Sequence, residues 1–275
     1  MSIDKIEVRN VAGSLLTLFL DDITDGYILE DITGLDPVKA TLVSSSFANL
    51  DGTQFQSARR ENRNLVLRIG LEPMDYATQS VRGLRKTLYQ YFMPKRVVDI
   101  RFFMTDGLVV KIVGRVEDFP APLFTDQPRA DISILCFDPD FLELTPTTVS
   151  HNTVADTSTF SVTYDGTVET GLLFTLNVNR TLSEFTIYNT GPDGVTHSLD
   201  FQASLVAGDV VKISTVPGSK YATLTRASTD SSVLYGVSPQ ASWIQLDQGV
   251  NVMRVYAVGA AIPFTLNYTT RHGGL

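Results

Sequence analysis

The 275-residue sequence has one cysteine, one tryptophan and three histidines. A lone cysteine, Cys136, excludes an intrachain disulfide, so folding needs no oxidising compartment. It sits in the apolar run Ile132-Ser133-Ile134-Leu135-Cys136-Phe137 and reads as a small buried hydrophobe, not a reactive thiol. His151, His197 and His272 lie far apart and lack metal-ligand spacing. The HExxH, paired-cysteine and EF-hand patterns are missing, as are a phosphate loop, a dinucleotide fingerprint and a Gly-x-Ser-x-Gly elbow. Neither a cofactor nor a metal is expected, and the chain reads as a non-enzyme. No apolar run approaches the ~20 residues of a membrane helix. Met1-Ser2-Ile3-Asp4-Lys5 is polar and Leu15–Leu20 is short for a leader, so a soluble protein made in the cytoplasm is expected. Basic residues are scarce too, 22 against 30 acidic, which argues against a general nucleic-acid binder and against anionic membrane surfaces.

What is present divides into two blocks. Residues 1–146 hold 16 basic and 21 acidic residues, residues 147–275 only 6 and 9. In the first block, strands are expected at Ile3–Val8, Ser14–Leu20, Tyr27–Ile32, Lys39–Val43, Leu65–Leu71, Val97–Met104, Val109–Val116 and Ala130–Phe137. Leu65, Leu67, Ile69 and Leu71 share one face by period-two alternation. Ser44–Thr53 reads as a loop holding the turn Asp51-Gly52, and Asp106-Gly107 as a hairpin turn. One helix is expected over Asp75–Phe92, with Asp75 as N-cap and Ala77, Val81, Leu84, Leu88 and Tyr91 as its apolar stripe. An α+β domain over 1–146, one helix on an antiparallel sheet, is the expectation.

Thr145-Pro146-Thr147-Thr148 reads as a linker. Over residues 149–275, nine short apolar runs at roughly ten-residue spacing alternate with Gly, Asp and Pro turns, which predicts a β-sandwich or jelly roll. The fold class is therefore mainly β with one helix.

Three features are weighed as sites. Asp138 and Asp140 flank Pro139 and read as a turn rather than an acid pair. Arg59, Arg60 and Arg63, with Arg82, Arg85 and Lys86 on the helix, are candidates for a solvated face or a subunit interface, because a guanidinium pairs well with carboxylates. Trp243 lies beside Ile244 and Leu246 and reads as buried; under an alternative, carbohydrate-binding reading it would stack on a sugar.

The order of several segments resembles the distal tail protein family of long-tailed bacteriophages. In the first block these are Ile32-Thr33-Gly34-Leu35-Asp36-Pro37, Asp51-Gly52, Arg63-Asn64-Leu65-Val66-Leu67, the helix, Gly114-Arg115-Val116-Glu117 and Ser133 through Phe141. In the second they are Val162-Thr163-Tyr164-Asp165-Gly166, Leu205 through Val211, and Ser242-Trp243-Ile244-Gln245-Leu246 followed by Gly249-Val250-Asn251. The resemblance implies a galectin-like sandwich for residues 149–275. It also implies a structural virion protein whose N-terminal domains form a hexameric ring at the tail tip or baseplate. Such a ring would continue the DNA channel and join the tail tube and tape-measure end to the hub and receptor-binding apparatus, with DNA passing through but not stably bound.

Overall fold

Alternating apolar and polar residues lay out the first half of the chain as strands: β1 (Ile3–Arg9), β2 (Leu15–Phe19), β3 (Ile23–Thr24), β4 (Tyr27–Thr33), β5 (Ala40–Ser45), β6 (Gln54–Arg60) and β7 (Arg63–Leu71). Helix α1 (Val81–Phe92) follows, then β8 (Val97–Met104), β9 (Val109–Asp118), β10 (Arg129–Cys136) and β11 (Phe141–Glu143). This architecture comes from a computed structural model that describes all residues except 1–2, 11, 49–50 and 123–124. The chain divides into two units: Met1–Leu144 with Gly273–Leu275, and Thr145–His272. The last three residues thus belong with the first unit, where the sequence suggested a simple split.

In the first unit the main sheet runs β2-β1-β8-β9-β10-β7-β4-β3, with antiparallel ladders. One face is largely apolar: Leu65, Leu67 and Ile69 of β7, Val98, Ile100 and Phe102 of β8, and Ile132, Ile134 and Cys136 of β10 are shut away from solvent. Each such aliphatic or aromatic side chain contributes roughly 1.5–3 kcal/mol by leaving water. The sheet rolls toward itself. Leu20, just past β2, bridges Leu29 of β4, and the Asp21 N–H donates to the Leu29 carbonyl at 3.1 Å.

Helix α1 covers the same core with Leu84, Leu88, Tyr91 and Phe92, and two tyrosines tie it down. Tyr27 donates to the Leu84 carbonyl at 3.0 Å and Tyr91 to the Leu15 carbonyl at 3.2 Å. The helix starts six residues later than expected. Ser80 is the N-cap, accepting from the Gly83 N–H at 3.1 Å. Asp75 instead closes a turn, accepting from the Ala77 N–H and the Thr78 hydroxyl, and these bonds hold its carboxyl below the usual range. Ala77 consequently lies on an exposed turn, off the stripe.

Strands β5 and β6 stand apart from the main sheet as a two-stranded antiparallel ladder. Of the loop expected at Ser44–Thr53, Ser44 and Ser45 are already in β5, paired with Phe55 and Gln54, and β6 is a strand the sequence did not announce. Asn49 and Leu50 of that loop lie outside the described residues.

The second unit consists of β12 (Thr147–Asn152), β13 (Phe160–Tyr164), β14 (Thr170–Asn177), β15 (Leu182–Thr190), β16 (Thr196–Leu205), β17 (Val210–Ser214), β18 (Tyr221–Arg226) and β19 (Thr229–Ser232). A 3-10 turn at Leu234–Gly236 precedes β20 (Gln245–Leu246), β21 (Gly249–Tyr256), β22 (Pro263–Tyr268) and β23 (Arg271–His272). Two antiparallel sheets, β12-β22-β14-β17-β18-β19 and β13-β21-β15-β16, share one core. The Phe174 ring of the first lies 5.5 Å from Phe185 of the second, and Phe185 lies 5.0 Å from Phe201. The supposed linker is shorter than expected: Thr147 and Thr148 are already in β12, paired with Tyr268 and Asn267. Mainly β with a single α-helix among the described residues, the chain has the expected fold class.

Candidate functional site

The arginines that the sequence groups together go to three different places. Strand β6 ends at Arg60 and β7 begins at Arg63, so the two residues Glu61 and Asn62 carry the chain from the free-standing hairpin into the main sheet. Arg59 stays on the hairpin and is exposed. Arg60 turns back and grips Asp140, a carboxylate with no side-chain exposure, through both terminal nitrogens. Arg63 is only 1% exposed.

Four backbone carbonyls surround the Arg63 guanidinium. Its Nε donates to Pro139 at 2.6 Å, Nη1 to Gly34 and to Asp36 (2.8 Å), and Nη2 to Gly273 at 2.6 Å. The plane rests on the Phe141 ring. Burial pulls its pKa below the ordinary arginine value, with the nearby carboxylates Asp140 and Asp36 opposing that shift. The solvated or intersubunit role foreseen for Arg63 therefore gives way to an internal one: all three nitrogens are committed within the first unit. Three segments that the sequence left unrelated meet here, the Gly34-to-Pro37 turn, the Asp138-to-Phe141 turn and Gly273. Gly34 has φ +88°, and a Cβ there would run into the Asn64 carbonyl, so only glycine presents its oxygen in this way. The available sequence signal was the pair of Asp-Pro steps, at 36–37 and 138–139, each forcing the preceding residue out of helix and into an extended or turn form.

Asp138 and Asp140 form the expected turn, with the Asp140 N–H donating to Asp138 Oδ1 at 3.3 Å. On α1, Arg82 and Lys86 are exposed, while Arg85 is half-buried over the Tyr89 ring at 5.5 Å. Cys136 is buried, and burial pushes its thiol up to about 12. His151 stacks on Phe160 at 4.1 Å. Among the described residues no group of three or more His, Cys, Asp or Glu side chains is placed to hold a metal. No described helix is long and apolar enough to cross a membrane. Trp243 lies outside a strand, half-buried against the core of the second unit, with the Lys220 ammonium 5.4 Å from its ring centroid.

Two surface features of the first unit remain unaccounted for by internal structure. One is the β5–β6 hairpin, whose large apolar side chains Leu42 (68%), Val43 (49%), Phe47 (54%) and Phe55 (63%) all face solvent. The other is a groove of about 560 Å³ beyond the Leu20–Leu29 bridge, where the rolled sheet fails to close. Its floor is apolar, with Ile3, Leu20, Ile32, Leu35, Met104 and Leu275, and its rim is acidic, with Asp21, Glu30 and Asp31.

Residues 165–272 match the family model described as siphovirus-type tail component, C-terminal domain. Among solved structures, the chain is similar to the crystal structure of SPP1 Dit (gp 19.1), described as a paradigm of the hub adsorption apparatus in phages infecting Gram-positive bacteria. The two share 15% identity over 97% of this chain and 98% of that one, with a TM-score of 0.66. The phage P2 baseplate in its activated conformation with Ca is 9% identical over 96% and 97% of the two chains, at a TM-score of 0.46. No curated protein matches the chain.

Proposed function

We infer that this chain, a phage tail component with the fold of the distal tail proteins, builds a closed ring of six copies at the tail tip or baseplate through its first unit. The ring joins the tail tube to the hub and the receptor-binding apparatus and continues the DNA channel. The observation that carries this reading is the likeness in fold to SPP1 Dit along nearly the whole of both chains, both units included. The tail-component family match over residues 165–272 supports it independently. An acidic chain, net charge -8, suits a conduit that must release DNA, because negative walls repel phosphate. The role is structural: a ring needs complementary faces rather than a reactive centre.

Light scattering over a concentration series, with negative-stain images, tests the ring. The expected result is a particle of roughly 180 kDa, six times the 30.2 kDa chain, with a central hole. A monomer at every concentration, alone and with purified tail-tube protein, overturns it.

A further inference from the structure

A two-stranded hairpin standing alone in water is marginal at best, and it gains stability only from a third strand or a packed face. The β5–β6 hairpin has neither within its own chain among the described residues, and every residue of β6 is exposed. It nonetheless carries four large apolar side chains on a surface that monomers keep polar. At the base of the hairpin Lys39 and Arg59 are exposed, while Arg60 is committed to Asp140 and Glu61 accepts from the Thr41 hydroxyl; Asp51 is the one acid between Lys39 and Arg60.

The groove has the opposite character. Past Leu29, β4 is bonded on one edge to β7, and no described strand pairs with its other edge. A register shift between Leu29 and Asp31 marks a bulge, a device that keeps an edge from pairing indiscriminately. Beside that edge lies the apolar floor, and around it Asp21, Glu30 and Asp31. Arg68 offsets Asp31 and Glu30 in part, but it is committed to Asp131 at 2.9 Å.

We propose that the hairpin of one copy seats in this groove of the next, its apolar side chains covering Ile32 and Leu20 and its exposed Lys39 and Arg59 facing Asp21, Glu30 and Asp31. Opposite charge, apolar area on both sides and an open strand edge beside an unpartnered hairpin all favour a second copy as the occupant. Knob and hole lie at different places on the same chain, so the contact is head-to-tail, the kind that closes into rings. The proposal rests on the ring reading and names its contact.

Disulfide trapping tests it, since the native Cys136 is buried and does not compete. Phe55→Cys and Ile32→Cys chains are prepared singly, mixed, and combined in one chain. Expected is a linked dimer from the mixture and a ladder reaching a closed oligomer from the combined variant, with no ladder from either single variant. In parallel, reversal of the hairpin charges (Lys39→Glu with Arg59→Glu) weakens self-association at least tenfold, and adding Glu30→Lys and Asp31→Lys restores it. Rings that form without linked species, and that survive Phe55→Asp, overturn the hairpin contact and leave the ring reading standing. A linked monomer from the combined variant places the hairpin in its own groove and also overturns it. Linked ladders without any ring in images support the contact and refute ring closure.

Discussion

The guanidinium carbon of Arg63 lies 4.4 Å from the centroid of the Phe141 ring, stacking a buried cation on an aromatic face while its nitrogens hold four carbonyls. Replacement by an apolar isostere strands those oxygens away from water. Arg63→Met is expected to cost roughly 3–5 kcal/mol, and Arg63→Lys to recover only part, because an ammonium cannot span the same fork. Urea unfolding read by hydrogen exchange in peptides around Gly34 and Pro139 measures both. A variant as stable as wild type would show that the hub is dispensable.

Asp209 contributes to the acid response of the second unit. Arg226 donates to both of its oxygens at 2.8 and 2.6 Å and the Val206 N–H at 2.8 Å, which holds the carboxyl below its ordinary value. A depressed folded pKa gives stabilisation that is complete above the unfolded value, about 3.9, and is lost as pH falls through the folded one. Asp209→Asn should therefore be less stable at pH 7 by about 1–2 kcal/mol, with the gap narrowing below about pH 4. Thermal unfolding followed by Trp243 fluorescence, which reports this unit alone, checks the slope; parallel curves down to pH 2 would refute it.

Gly274 packs against the Gly34-to-Pro37 turn so closely that an added Cβ would lie 2.8 Å from Pro37 Cδ and 3.0 Å from its backbone nitrogen. Gly274→Val is expected to loosen the first unit by about 1–3 kcal/mol. The readout is faster exchange of the Leu275 amide, which donates to the Leu35 carbonyl at 3.1 Å.

Cys136 should resist a thiol reagent in the folded protein and react fully in denaturant, since only the thiolate attacks and burial suppresses it. Gly114 guards the same spot: a Cβ there would meet Cys136 Sγ at 2.8 Å. Labelling of Gly114→Ala at neutral pH is expected to rise as the crowded strands shift; unchanged labelling would show that the site absorbs a methyl group.

Strands with one buried face were legible from their alternation, and β7, β8 and β10 stand where the pattern put them. Strands with no buried face were not. The segment Gln54–Arg60 is exposed throughout, and Thr229–Ser232 is a polar edge strand, so neither carries a hydrophobic period to detect. The helix start was misread because Asp75 closes a turn with the same side-chain chemistry that caps a helix. Among the arginines, composition alone did not separate Arg59 from Arg63. Their fates diverge at a two-residue turn whose consequence, one side chain in water and the other sealed among carbonyls, exists only in three dimensions.

The bond from Arg63 to Gly273 joins residues 210 apart. During synthesis at roughly 5–20 residues per second, the Arg63 side chain waits some ~10–40 s after its own translation before that partner exists. The second unit, Thr145–His272, is complete in sequence before the first can be. A sheet begun earlier thus stays unfinished until Gly273 has been made, so a chain stopped before that residue lacks a fully locked Arg63 hub.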